Sequence, residues 1–348
     1  MTDRNDDDGP PAPVPDVVSG PGMSGPVGGV DTAAIAGAAM PSRNARRGDR
    51  IFAGLATGSG IFVIALVALV AAFLLQKAIP AIAHDKVNFL TSRTWEVDSK
   101  PLKFGIADLL WVTVISSVLA MIIALPVSVG IALFITQYAP RRLARPVASA
   151  IDLLAAIPSI VYGVWGIYVL APQLSQLRDG FVTALGWFPL FGKTAVDDGT
   201  IFIGTIVLTI MILPIMTALN REVFERTPTD HIEGAWALGA TRWEMIRMTV
   251  LPHGRAGVIS GSMLGLGRAL GETIAVTLIL STLGNGSKWS WSIFHGGETF
   301  ASRIANNAAE FNEPSKTGAF IAAGLVLFLL TFAVNAVARI VINRSRRY

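Results

Sequence analysis

Cysteine is absent from the 348 residues, which excludes disulfides and thiolate metal sites. Histidine is scarce: the four, at positions 84, 231, 253 and 295, are too scattered to form a zinc cluster. Charge is also thin. Asp, Glu, Lys and Arg make up 15% of the chain, against about 25% in soluble domains. There is no Gly-x-x-x-x-Gly-Lys-Ser/Thr run, so no loop of that kind cradles a nucleotide phosphate here. The apolar segments hold no histidine and no pairing of a nucleophile with a base, and no catalytic site is expected.

What is present is hydrophobicity, at 52% of residues, and it is unevenly spread. The opening "MTDRNDDDGPPAPVPDVVSGPGMSGPVGG" is rich in Pro, Gly and Asp, and too apolar-poor to offset its ordering entropy. Residues 1–42 are therefore expected to be a disordered cytoplasmic tail. It is acidic and lacks a hydrophobic run, so it does not read as a cleavable signal peptide. Residues 43–348 form the membrane-embedded domain.

About 20 apolar residues cross roughly 30 Å of hydrocarbon. Six stretches qualify, at 51–75, 106–135, 147–170, 201–219, 257–283 and 318–342. Proline interrupts the second at Pro126 and the fourth at Pro214, a kink that membrane helices tolerate. Sixteen arginines and no lysine lie in one alternating set of connections, around Arg43, Arg141, Arg221 and Arg339. Ten basic residues spread over the longer connections of the other set. The arginine-rich side is assigned to the cytoplasm, giving a multi-pass protein with both termini inside and lipid as its surroundings. Nothing points to nucleic acid. The outer connections hold Trp95, Trp187, Trp289 and Trp291, suited to anchoring at the membrane–water interface.

One basic side chain falls within a span. "GLGRALGETIAV" carries Arg268 and, four residues on, Glu272. A charge at mid-bilayer costs roughly 2.5–3.5 kcal/mol on insertion scales and defaults to a functional role. On one helix the two would share a face. An arginine fork fits oxyanion oxygens, and a carboxylate can accept a hydrogen bond from an anion that retains a proton. Three roles stay open: substrate contact, an ion-pair gate, and a structural pair. Gly267 and Gly271 form a Gly-x-x-x-Gly spacing read as helix packing.

Residues 220–256 form a long inner connection with helix punctuation. Thr229 or Asp230 caps a first short helix, which ends at Gly239 in a left-handed conformation. Thr241 and Glu244 make a capping box for a second, which Pro252 stops. Trp236, Trp243 and Ile246 are expected on the surface.

The string "EGAWALGATRWEMIRMTVLP" resembles the EAA loop of ABC importer permeases, with Glu233, Ala235, Gly239, Leu251 and Pro252 at the matching positions. Gly234 and Thr249 depart from that pattern. "MLGLGRALGETIAV" and "LLAAIPSIVYGVWG" resemble the PstC permease family of bacterial phosphate ABC importers, and the likeness extends over roughly 50–345. The resemblance implies an all-α, type I ABC importer permease (MetI-like) fold in the bacterial cytoplasmic (inner) membrane. It implies ATP-driven import of inorganic phosphate by alternating access, with the loop docking on an ATPase. The implied partners are a PstA-like second permease, a PstB-like ATPase dimer that uses ATP and magnesium, and a PstS-like external phosphate-binding protein. This chain itself would bind no cofactor. Two alternatives stand beside that reading: a permease of the same fold for sulfate or molybdate, and a proton-coupled transporter with Glu272 as proton carrier.

Overall fold

The computed structural model describes residues 43–98, 101–193, 199–283, 289–311 and 313–345. The expected tail, 1–42, lies outside the described residues. The chain divides into two units, Met1–Ala65 and Leu66–Tyr348. The described part of the first is the opening of helix α1 (Arg43–Ala83), where Ile51, Phe62 and Ile64 are more than 60% exposed. Lipid tails are as apolar as these side chains and solvate such a surface.

The second unit continues α1 from Leu66 and adds a small ladder, β1 (Trp95–Glu96) antiparallel to β2 (Lys103–Phe104). Helices follow: α2 (Ala107–Leu133), α3 (Arg141–Ala155), α4 (Ser159–Trp165), α5 (Ala171–Leu185) and α6 (Ile201–Glu225). Then come α7 (Thr229–Ala237), α8 (Arg242–Met245), α9 (Leu251–Gly271), α10 (Ile274–Ile279), α11 (Phe300–Asn306) and α12 (Pro314–Ser345). The all-α class holds, the two-residue ladder aside.

Four runs among the described residues are long and apolar enough to cross a bilayer: Gly48–Ala83, Ala107–Tyr138, Ile201–Glu225 and Lys316–Ile340. They answer to the first, second, fourth and sixth expected spans. Pro126 and Pro214 sit inside α2 and α6 without ending them.

The other two expected spans differ, so the structure does not give six unbroken helices. The third is two legs, Arg141–Ala155 and Ser159–Leu185, meeting at 90°. Pro158 lacks an N–H and disfavours helical backbone at Ile157, which breaks the run there. The fifth is broken too. Helix α9 ends at Gly271, Glu272 is extended (φ −67°, ψ 124°), and the chain re-enters a helix only at Ile274. Counting the bent pair as one span gives five.

Helix α6 is the hub, apolar along its length and mostly buried, as a central helix must be. Its Val207, Leu208, Met211, Ile212 and Met216 pack with Ala120 and Ala124 of α2 and with Ala275, Val276 and Ile279 of α10, all below 5% exposed. Asn220, fully buried, donates from Nδ2 to the Ser128 hydroxyl at 3.1 Å and ties α6 to α2.

Helix α9 meets α6 through glycines. A Cβ on Gly257 would lie 2.3 Å from Val223 Cγ2, and one on Gly265 would lie 2.8 Å from Met216. Small residues of this kind let membrane helices approach closely. The packing spacing is therefore Gly257-x-x-x-Gly261-x-x-x-Gly265. The expected pair, Gly267 and Gly271, has none of the described residues within reach of an added Cβ.

Candidate functional site

Arg268 occupies the last turn of α9 and is exposed. Among the described residues no carboxylate lies within ion-pair distance of it. Leu264, Gly267 and Gly271 share its face at helical spacing, and Leu264 is 57% exposed. The described residues thus leave one stripe of α9 uncovered, with Arg268 on it.

Glu272 is placed differently from the expectation of a shared helical face. It is buried, at 9% exposed, and its Oε1 accepts a hydrogen bond from the Ala275 N–H at 3.2 Å. The carboxylate thereby caps the short helix α10, and the chain turns between the two charges. Gly271, with its entropic penalty in a helix, and the β-branched Thr273 flank the break. The two residues remain neighbours in sequence but belong to separate elements.

The second motif stretch comes to the same place. Tyr162 of α4 lies within electrostatic reach of Arg268 and donates its hydroxyl to the Leu154 carbonyl at 2.8 Å. A Cβ on Gly163 would lie 3.0 Å from the Ala275 Cα, so α4 rides directly on the backbone of α10. The segments 153–166 and 263–276 are therefore one packed unit.

The inner connection follows its punctuation closely. Helix α7 runs Thr229–Ala237 with Pro228 at the cap position, where Thr229 or Asp230 was expected, and no side chain caps it. Gly239 adopts φ +81°, a conformation that a side chain strains. The capping box forms: Thr241 N and Oγ1 donate to Glu244 Oε2 at 2.8 and 2.7 Å. The Glu244 N–H returns to Thr241 Oγ1 at 3.4 Å. Those bonds from the Thr241 side chain and backbone hold the Glu244 carboxyl below the usual carboxylate range.

Pro252 does not stop the second helix. A π-helical turn at Ile246–Val250 joins α8 to α9, with Pro252 in the first turn of α9. The hydrogen-bond register changes there, and Pro is tolerated where a ladder begins. Ile246, expected on the surface, is fully buried with Met245, Val250, Phe224 and Ala235. Trp236, Leu238 and Trp243 are at least half exposed, and Glu233 and Gly239 are exposed beside them. Ala235 is buried under this face; Leu251 is half-buried and Pro252 exposed.

Sequence reasoning passed over the Asn220–Ser128 bond and the glycine seam of α9. A lone Asn at the end of an apolar run and a triple Gly-x-x-x-Gly spacing were the available signals.

Residues 124–347 match the family described as binding-protein-dependent transport system inner membrane component. Over 305 residues the chain is 52% identical to phosphate transport system permease protein PstC 2 of Mycobacterium tuberculosis, covering 86% of this chain and 94% of that protein. It is 41% identical over 306 residues to the PstC protein of Xylella fastidiosa, covering 86% and 92%. Among solved structures it is similar to a chain of a bacterial alginate ABC transporter in complex with a periplasmic protein carrying an alginate pentasaccharide. The TM-score there is 0.53 at 16% identity, covering 85% of this chain and 94% of that one, a likeness of fold. The chain belongs to the PstC family of phosphate transport system permeases, among the inner membrane components of binding-protein-dependent transport systems.

Proposed function

We propose that this chain conducts inorganic phosphate inward as one of two permeases, powered by an ATPase on its cytoplasmic face. The observation that carries this reading is Arg268: a cation without an ion-pair partner among the described residues, on a helix face that the chain leaves bare. A second, PstA-like permease covers that face, and the ion passes between the two. Sites of this kind in transporters lie at the junction of helical bundles, beside broken helices.

Arg268 presents a guanidinium fork to phosphate oxygens. Glu272 stands just beyond the break with a carboxylate that can accept the proton phosphate keeps and sulfate lacks. Affinity stays moderate, because the ion must also leave.

The arginine-rich connections lie in the cytoplasm. There the exposed face of Glu233, Trp236, Leu238, Gly239 and Trp243 docks on a PstB-like ATPase dimer that binds ATP and magnesium. A PstS-like protein delivers phosphate outside. Neither alternative is favoured: the relatives are named for phosphate transport, and a proton-coupled transporter has no use for an ATPase-docking loop.

The test is ATP-dependent phosphate uptake by vesicles holding the whole assembly. Absence of uptake with a competent ATPase, or uptake of sulfate in preference, overturns the reading.

A further inference from the structure

Helix α3 is too short to cross a bilayer alone. Its 15 residues reach about 22 Å, against roughly 30 Å of hydrocarbon. It stands at 90° to the leg Ser159–Leu185 that follows it. Both of its ends are tied to one membrane face. Arg141 follows closely on Tyr138, where the run Ala107–Tyr138 ends. Asp152 pairs at 3.6 Å with Arg221, one turn from the end of α6 and next to the Asn220 that bonds Ser128 of α2. The helix therefore lies across the ends of α2 and α6, along the membrane surface.

At about 100° per residue, α3 presents three sides. Arg141, Arg142 and Arg145 share one, all exposed and with no ion-pair partner among the described residues. The single acid of the helix, Asp152, is engaged with Arg221. Leu143, Leu153 and Leu154 share the next side and are 45–71% exposed. The third side is covered: Ile151 is buried, Val147 and Ala148 are half-buried, and the helix packs on α6.

The backbone agrees with a wet position. Pro146 lies inside the helix and has no N–H for the Arg142 carbonyl four residues back. A carbonyl without its helical partner is tolerated among headgroups and water and is disfavoured in hydrocarbon.

We infer that α3 is an interfacial helix whose partner is anionic phospholipid. The three guanidinium groups hold headgroup phosphates, and the three leucines enter the acyl chains beside them. The uncovered surface is divided lengthwise into a cationic strip and an apolar one, and the boundary of a bilayer is divided in the same way. A free phosphate ion matches only the first strip and leaves the leucines in water. The inference goes beyond the transport reading, since it is the same whichever ion the chain carries.

The test uses the absence of cysteine, so that one introduced thiol reports from one place. Ala150, exposed between the leucines of the apolar side, is the position. Ala150→Cys carries a fluorescent label in the whole assembly, with cysteine-free partner subunits, in phosphatidylcholine nanodiscs. Brominated phosphatidylglycerol should quench the label at a mole fraction at least about tenfold lower than brominated phosphatidylcholine. Arg141→Gln, Arg142→Gln and Arg145→Gln together should abolish that preference, and lysine at all three should keep most of it. Should the glutamine variant fail to assemble, about 1 M salt added to the arginine form replaces it and should weaken the preference.

Equal quenching by the two lipids overturns the inference, as does a preference that survives both the glutamine variant and salt. Absence of quenching by either lipid means that a protein subunit covers the face, which overturns it too. So does inorganic phosphate that displaces the brominated phosphatidylglycerol, because the arginines then serve a free ion.

Discussion

A methyl group on Gly257 would sit 2.3 Å from Cγ2 of Val223, across the seam between α9 and α6. Val223 is β-branched and holds few rotamers, so it has little room to yield. Gly257→Ala should therefore separate the two helices and destabilise the chain by about 1–3 kcal/mol, the usual result of overpacking. Gly267→Ala should not destabilise the isolated chain, and should stabilise it by up to about 1 kcal/mol, since none of the described residues lies within reach. Thermal unfolding of both variants in detergent decides this, and equal midpoints would refute the seam.

The bond between Asn220 and Ser128 makes an asymmetric prediction. Ser128 also donates its hydroxyl to the Leu125 carbonyl at 2.9 Å, so Asn220→Leu leaves it a partner. Ser128→Ala instead strands the buried Asn220 amide. The first should be near neutral and the second should cost about 1 kcal/mol or more. Interhelical hydrogen bonds in membranes average about 0.6 kcal/mol, so the order of the two is the informative result. The reverse order in a denaturation series would count against the bond.

How much of this was legible beforehand follows from the range of each interaction. Gly239 and the Thr241–Glu244 box are local, set by residues within four positions of each other, and the sequence reading located both. The long apolar runs were equally plain, because bilayer thickness alone fixes their length. Ile246 went wrong because its burial depends on Phe224 and Leu133, distant in sequence and brought in by the fold. Arg268 and Glu272 were identified as residues but not as geometry. Helical spacing presumes a continuous helix, and the carboxylate that would have completed the face caps the next helix instead.

The capping box should respond to pH in one direction. Glu244 is held below its ordinary range when folded, so in the unfolded chain it takes up a proton first as pH falls. Its contribution is complete above the ordinary carboxylate range and is lost as pH drops through it towards the lower folded value. Hydrogen exchange of the amides at 242–245, corrected for intrinsic rates, should accelerate across that window. Glu244→Gln should flatten the response. A response that survives in that variant would assign it to another group.

Arg268→Gln and Glu272→Gln should separate transport from folding. Among the described residues Arg268 has no ion pair to lose, and a glutamine oxygen at 272 can still accept from the Ala275 N–H. Both chains should assemble with unaltered stability while phosphate uptake falls at least about tenfold, with ATP hydrolysis measured in parallel. Normal uptake in both variants would leave the two side chains with a structural role only.

From Arg242 to Gly271 the backbone never leaves helical conformation, passing through the π-helical turn without a joint. At 1.5 Å per residue the stretch is about 45 Å of stiff rod. Trp243 stands at one end of it and Arg268 near the other. Under the proposed function such a member would serve as a push-rod: an axial thrust or twist applied at the tryptophan would reach the arginine along continuous helical backbone. The π-helical turn lies between the two, so the path from tryptophan to arginine crosses one change of hydrogen-bond register.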